Sequence, residues 1–139
     1  MAVIKRPTEP THRLPGAEFT SLATPGRGDA ATSVWVVRLA PGHGGLPHQL
    51  TAGETFVALD GQARVNLAGT AALLRAGDSL VVPPGVEFSI EADGDSAFEA
   101  LCILPFGGQA VMAGGERQNA QCLEGRVAIS FNADRKSVV

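Results

Sequence analysis

Apolar residues along this chain fall into short segments, with glycine and proline between them. Several segments alternate apolar and polar residues with a period of two, which is the pattern of strands that bury one face. Turn residues follow at spacings of about ten residues, as in β-sandwiches and barrels. The segments with this pattern are 33–39, 55–59, 63–67, 79–82, 87–90 and 98–104. The sequence therefore predicts an all-β fold.

Helical periodicity is weak throughout. Residues 109–122 come nearest to it, but Gly114 and Gly115 interrupt them. The 139 residues are 45% hydrophobic, enough for the core of one domain. We expect residues 1–15 to form an N-terminal arm, 16–125 the β-domain, and 126–139 a C-terminal strand or tail.

Charge and composition exclude several classes of partner. Eleven basic and fourteen acidic residues give a net charge of −3, which offers no reason to expect nucleic acid or an anionic membrane as a partner. No apolar run approaches the ~18 residues of a membrane-spanning helix, and the first residues lack the apolar stretch of a signal peptide. We therefore expect a cytoplasmic protein. The spacing of Cys102 and Cys122 fits neither a metal-binding pair nor a disulfide framework, so both are expected to be free thiols.

Two glycine-rich stretches carry more specific information. The first, residues 42–61, contains in order Gly42, His48, Leu50, Glu54 and Gly61. The second, residues 77–92, contains in order Gly77, Pro83, Gly85, Phe88 and Ala92. This spacing resembles the two sequence motifs of the cupin family, whose usual short interval matches the 15 residues between the stretches. The resemblance implies a single-domain cupin β-barrel of jelly-roll type over residues 16–125.

The departures from the cupin motifs fall on positions that bind metal in that family. Metal-binding cupins use two histidines and one glutamate of the first motif and one histidine of the second. Here Leu50 and Phe88 stand at two of the histidine positions, and only His48 and Glu54 remain. Because a transition-metal site usually has three or more protein ligands, we expect no tightly bound metal and no other cofactor. A weakly bound divalent ion would use His48 and Glu54.

The resemblance also implies which side chains line a pocket inside the barrel. His48 and Glu54 would be polar anchors, and Leu50, Phe56 and Phe88 would be apolar walls. Such a lining suits a small organic molecule with an apolar body and a polar end. The function expected is therefore small-molecule binding in a mostly apolar pocket.

Other interpretations of the same residues stay open. An enzyme would use His48 and Glu54 either as metal ligands for oxygenase or isomerase chemistry or as a metal-free acid–base pair. A structural or oligomerisation module would have its barrel plugged by Phe88. In the simplest case His48 and Glu54 only hydrogen-bond each other and have no ligand.

Residues outside the two motifs are expected to be structural. Trp35, among valines, is expected in the core or at a dimer interface. Glu99 and Cys102 are three apart on one strand and so face opposite sides, which makes Glu99 a surface residue if Cys102 points inward. We expect a homodimer, because open sheet edges need cover. The cupin resemblance implies pairing through the N-terminal strands, near residues 18–24.

Overall fold

The computed structural model describes residues 3–28, 31–112, 117–119, 122–123 and 126–127. These residues contain strands and turns but no helix, which confirms the predicted all-β fold. The strands are β1 (His12–Leu14), β2 (Ala17–Ala23), β3 (Thr32–Leu39), β4 (His48–Leu50), β5 (Glu54–Asp60), β6 (Gln62–Leu67), β7 (Thr70–Arg75), β8 (Ser79–Val82), β9 (Phe88–Ala92), β10 (Phe98–Pro105), β11 (Gln109–Met112), β12 (Arg117–Asn119), β13 (Cys122–Leu123) and β14 (Arg126–Val127). Gly114, Gly115 and the predicted tail beyond residue 127 lie outside the described residues.

The strands form two six-stranded sheets and one short hairpin. The first sheet has the order β1-β2-β3-β10-β5-β8, and the second has the order β12-β11-β4-β9-β6-β7. Strands β13 and β14 pair only with each other in the described part of the chain. Buried apolar side chains from both sheets belong to a common core, so the sheets pack face to face as a jelly-roll β-sandwich.

The central strand β10 shows how sequence alternation fills this core. Its inward-facing residues are Phe98, Ala100, Cys102 and Leu104, all of them buried. Glu99, in the opposite phase, lies on the outer face, where its carboxylate is 3.5 Å from Nη1 of Arg38. Trp35 on β3 lies opposite Cys102 and is fully buried. The period-two pattern thus directs the apolar phase of β10 between the sheets.

Gly61 makes the turn from β5 into β6. Its φ of 73° lies in the left-handed region that favours glycine. A Cβ atom at this position would overlap the carbonyl oxygen of Ala97. The amide of Gly61 also donates a hydrogen bond to Oδ1 of Asp60 at 3.0 Å. Both the backbone conformation of Gly61 and the closeness of the segment at Ala97 therefore require glycine here.

The N-terminal arm is attached to the first sheet by Arg27. The guanidinium of Arg27 donates from Nη2 to the carbonyl oxygen of Lys5 at 2.9 Å and from Nε to that of Leu22 at 3.2 Å. Because one side chain bonds two backbone segments, it joins the arm to the end of β2. In the part of the chain that the structure describes, no helix is long and apolar enough to cross a membrane.

Candidate functional site

His48 and Phe88 form the centre of the second sheet's inner face. They lie opposite each other on β4 and β9, with ring centroids 4.5 Å apart and ring planes tilted by 50°. The glycine-rich loop before β4 brings the chain back so that His48 donates from Nδ1 to the carbonyl oxygen of Leu46 at 2.8 Å. Leu50, two residues further along β4, shares this buried face.

The first sheet brings Glu54 and Phe56 to the same interior. Both point inward from β5, because they are two residues apart and both are buried. The ring of Phe56 lies 5.8 Å from that of Phe88, so the two sheets meet at this pair. All five side chains proposed from the sequence as pocket residues therefore face the space between the sheets. They are His48, Leu50, Glu54, Phe56 and Phe88.

Glu54 is an isolated carboxyl in this interior. The residue is 1% exposed, and neither of its carboxyl oxygens has a hydrogen-bond partner among the described residues. The structure therefore contains no hydrogen bond between His48 and Glu54, which was one of the alternatives left open by the sequence. Burial raises the pKa of Glu54 well above its usual range. The neutral carboxyl is the favoured form.

His48 is shifted in the opposite direction. Burial lowers the pKa of His48, and the hydrogen bond to Leu46 only partly offsets that effect. The imidazole is therefore neutral near pH 7, like the carboxyl of Glu54. The interior thus disfavours both the imidazolium form of His48 and the carboxylate form of Glu54.

The metal donors that the structure describes between the sheets do not fit a transition metal. Within the described ranges, no group of three or more His, Cys, Asp or Glu side chains converges. Leu50 and Phe88 stand where the resemblance noted in the sequence would place histidine ligands, and the ring of Phe88 packs on His48. His48 and Glu54 are only two donors, and such ions take three or more protein ligands.

The pocket predicted from the sequence did not include several polar side chains that the structure places inside. Ser33 precedes Trp35 by two positions and shares its inward phase, which was the available signal. Both side chains are buried, and neither Oγ of Ser33 nor Nε1 of Trp35 has a hydrogen-bond partner in the described residues. Cys102 lies opposite Trp35 as a free thiol, and burial raises its pKa well above its usual value.

The raised pKa of Glu54 predicts how stability depends on pH. In the unfolded chain the carboxyl loses its proton above about pH 4.3, whereas the folded chain keeps it. Unfolding therefore releases a proton, and the free energy of unfolding falls as pH rises, by at most about 1.4 kcal/mol per pH unit. Glu54→Gln removes this contribution, so its stability relative to wild type should rise with pH.

Chemical unfolding followed by circular dichroism between about pH 5 and 8 measures this difference. The matched control is Glu91→Gln, which makes the same change at an exposed position on β9. The stability of Glu91→Gln relative to wild type should not rise with pH as that of Glu54→Gln does. A constant difference between Glu54→Gln and wild type would show that Glu54 is ionised in the folded protein.

Comparison with known proteins identifies relatives of this fold. A family model described as "Cupin domain" matches residues 35–104. The structure of KdgF from Halomonas sp. has 21% identity and a TM-score of 0.59, covering 68% of this chain and 83% of that chain. An RmlC-like cupin from Shewanella frigidimarina has 19% identity and a TM-score of 0.60, covering 73% and 83%. A salicylate 1,2-dioxygenase from Pseudaminobacter salicylatoxidans has 22% identity and a TM-score of 0.58, covering 66% of this chain but 26% of that one.

No curated protein matches the chain. At these identities the solved structures show a shared fold. The family match runs from β3 to β10 and includes the five residues that the sequence predicts as a pocket lining.

Proposed function

Since the chain belongs to the cupin family, we propose that it binds a small organic molecule between its two sheets. The observation that carries this proposal is the buried, unpartnered carboxyl of Glu54. An unsatisfied buried polar group costs about 1–3 kcal/mol, which a ligand's hydrogen bonds would offset. Natural interiors rarely hold such a group without a partner.

The surroundings of Glu54 indicate the shape of the ligand. Leu50, Phe56 and Phe88 supply apolar surface, and the two phenyl rings lie on opposite sheets. His48 adds a neutral imidazole beside Phe88. A molecule with an apolar body against the rings and one polar end at Glu54 satisfies both parts of this lining.

Metal-free acid–base catalysis is the second candidate function. Glu54 and His48 have pKa values shifted in opposite directions, a property that general acids and bases in enzymes often share. Under this alternative the protonated carboxyl would donate a proton, and the neutral imidazole would accept one. Turnover of a bound molecule, lost in either alanine variant, would distinguish catalysis from binding alone.

The binding proposal predicts the effect of removing either polar group. His48→Ala and Glu54→Ala should each weaken a ligand by about 1.5–3 kcal/mol if a hydrogen bond to it is lost. Thermal unfolding of the wild type against a metabolite panel identifies a stabilising ligand, which is then titrated into both variants. Glu91→Ala serves as the exposed control and should bind as wild type.

A ligand that stabilises the wild type and both variants equally would place the pocket elsewhere. A panel that stabilises none of the proteins would favour the module with a plugged interior.

We further propose that the chain forms a homodimer. Leu59 and Val81 present exposed apolar side chains on the outer face of the first sheet, and Val81 is 62% exposed. Strand β2, near which pairing was expected, lies between β1 and β3, so it is not a sheet edge. Light scattering at micromolar concentration should give twice the 14.3 kDa chain mass, and the mass of a single chain would contradict the proposal.

A further inference from the structure

The inner face of the first sheet carries more unpartnered polar atoms than Glu54 alone. Within the described residues, three buried side chains there lack a hydrogen-bond partner for the named atoms. They are Ser33 (Oγ), Trp35 (Nε1) and Glu54 (Oε1 and Oε2). Each of these residues is at most 1% exposed. Since most buried polar groups in proteins are hydrogen-bonded, a concentration of exceptions needs a cause.

The strand register places these groups around one part of the sheet. Trp35 lies opposite Cys102 on β10, and Cys102 lies opposite Phe56 on β5. Glu54 precedes Phe56 by two residues, and Ser33 precedes Trp35 by two, so each lies on the inner face beside that row.

No positive charge faces this region among residues 3–28 and 31–111, whose side chains the structure describes. Lys5, Arg6, Arg13, Arg38, Arg64 and Arg75 are all exposed. Arg27 is half-buried, but its guanidinium bonds the backbone carbonyls of Lys5 and Leu22. A ligand carboxylate or phosphate would therefore find no counter-ion among these residues, and an isolated buried charge is strongly unfavourable.

We propose that Trp35 and Ser33 form, together with Glu54, the polar end of the ligand site, and that this end takes an uncharged carbonyl group. The indole N–H is only a donor, so it requires an acceptor such as the oxygen of an amide or ketone. The hydroxyl of Ser33 both donates and accepts, which allows it to bond the same group. This inference rests on the proposed small-molecule function and names the chemistry of its ligand.

The raised pKa of Glu54 is consistent with this assignment. A protonated carboxyl donates one hydrogen bond and accepts others, so it complements an amide in a way that a carboxylate does not. The buried N–H of Trp35 and hydroxyl of Ser33 lack partners whatever the protonation state of Glu54.

The chain contains a single tryptophan, which makes a direct test practical. Protein labelled with ¹⁵N-tryptophan shows one indole N–H signal, which reports Trp35 alone. We expect benzamide and acetophenone, two neutral carbonyl probes, to move this signal downfield with saturation. Benzoate and benzylamine, which have the same ring but a charged end, should bind at least about tenfold more weakly.

Two serine variants on the same sheet provide a matched pair. Ser33→Ala should weaken the neutral probes about fivefold or more through the lost hydrogen bond. Ser79→Ala changes an exposed serine on β8 and should leave the titration unchanged. Trp35→Phe keeps an aromatic ring but removes the N–H, and thermal shifts should show the same loss of binding. If Trp35→Phe does not fold, the indole titration of Ser33→Ala still decides.

Any of three results would overturn this inference. The first is an indole signal that does not respond to the neutral probes, the second is benzoate binding as tight as that of benzamide, and the third is wild-type affinity in Ser33→Ala. If a panel ligand still loses its stabilising effect in Glu54→Ala, the proposed function survives and only the role of Trp35 and Ser33 fails. If no compound stabilises the protein and no probe moves the signal, both proposals fail.

Discussion

Restoring histidine at positions 50 and 88 is expected to raise tightly bound zinc from well under one to about one equivalent per chain. The Leu50→His, Phe88→His double variant would add two imidazoles to His48 and Glu54. Phe88 lies directly opposite His48, and Leu50 shares its strand and face. Four nitrogen and oxygen donors form the usual zinc coordination shell, whereas the two native donors do not.

Metal content after dialysis against a mild chelator measures this gain. Circular dichroism confirms that the double variant retains β-structure, and Phe88→His alone serves if two buried imidazoles prevent folding. Adding His48→Ala to the double variant is the control and should lower the retained zinc. A full equivalent in the wild type would contradict the expected absence of a tightly bound metal, and so would a folded double variant that binds no more than its parent.

Replacing Gly61 with alanine is expected to lower the free energy of unfolding by about 2–4 kcal/mol. Part of this cost is the left-handed backbone, since Gly61 has a φ of 73°. The larger part is steric, because the new Cβ would overlap the carbonyl oxygen of Ala97 and the turn would have to move. Urea unfolding followed by circular dichroism gives the value.

Gly69 provides a matched control for the steric contribution. It lies in the turn between β6 and β7 with a φ of 85°, and a Cβ there would meet no atom within 4 Å. Gly69→Ala should therefore cost only the backbone strain, about 1–2 kcal/mol. Equal losses in the two variants would show that the contact with Ala97 relaxes without cost.

Much of the fold followed from local sequence pattern, whereas the inward direction of the proposed pocket residues was implied by the resemblance to cupins. Period-two alternation and turn residues predicted the strands, and the matched cupin motifs placed His48 and Glu54 in the interior. These features depend on neighbours close along the chain, which a sequence displays directly. The faces of β3 and β10 were left open, because alternation alone does not say which phase is buried.

The missing partners of Glu54 and Ser33 could not be predicted in this way. Whether a buried polar atom is satisfied depends on strands brought together from distant parts of the chain, such as β3 and β10. The attachment of the arm by Arg27 is of the same kind, because its acceptor at Lys5 lies 22 residues away. Sequence pattern gives the direction of a side chain, whereas its partners require the register.

The position of β10 has a consequence for how the protein folds during synthesis. This strand lies between β3 and β5, so the first sheet stays in two separate parts until Pro105 has left the ribosome. Strand β9 joins β4 to β6 in the second sheet in the same way. Until both have emerged, the inner faces of the earlier strands lack their neighbours, and exposed apolar surface of this kind promotes aggregation and chaperone binding. Pairing between distant segments also slows folding, so native packing forms late, after most of the chain has been made.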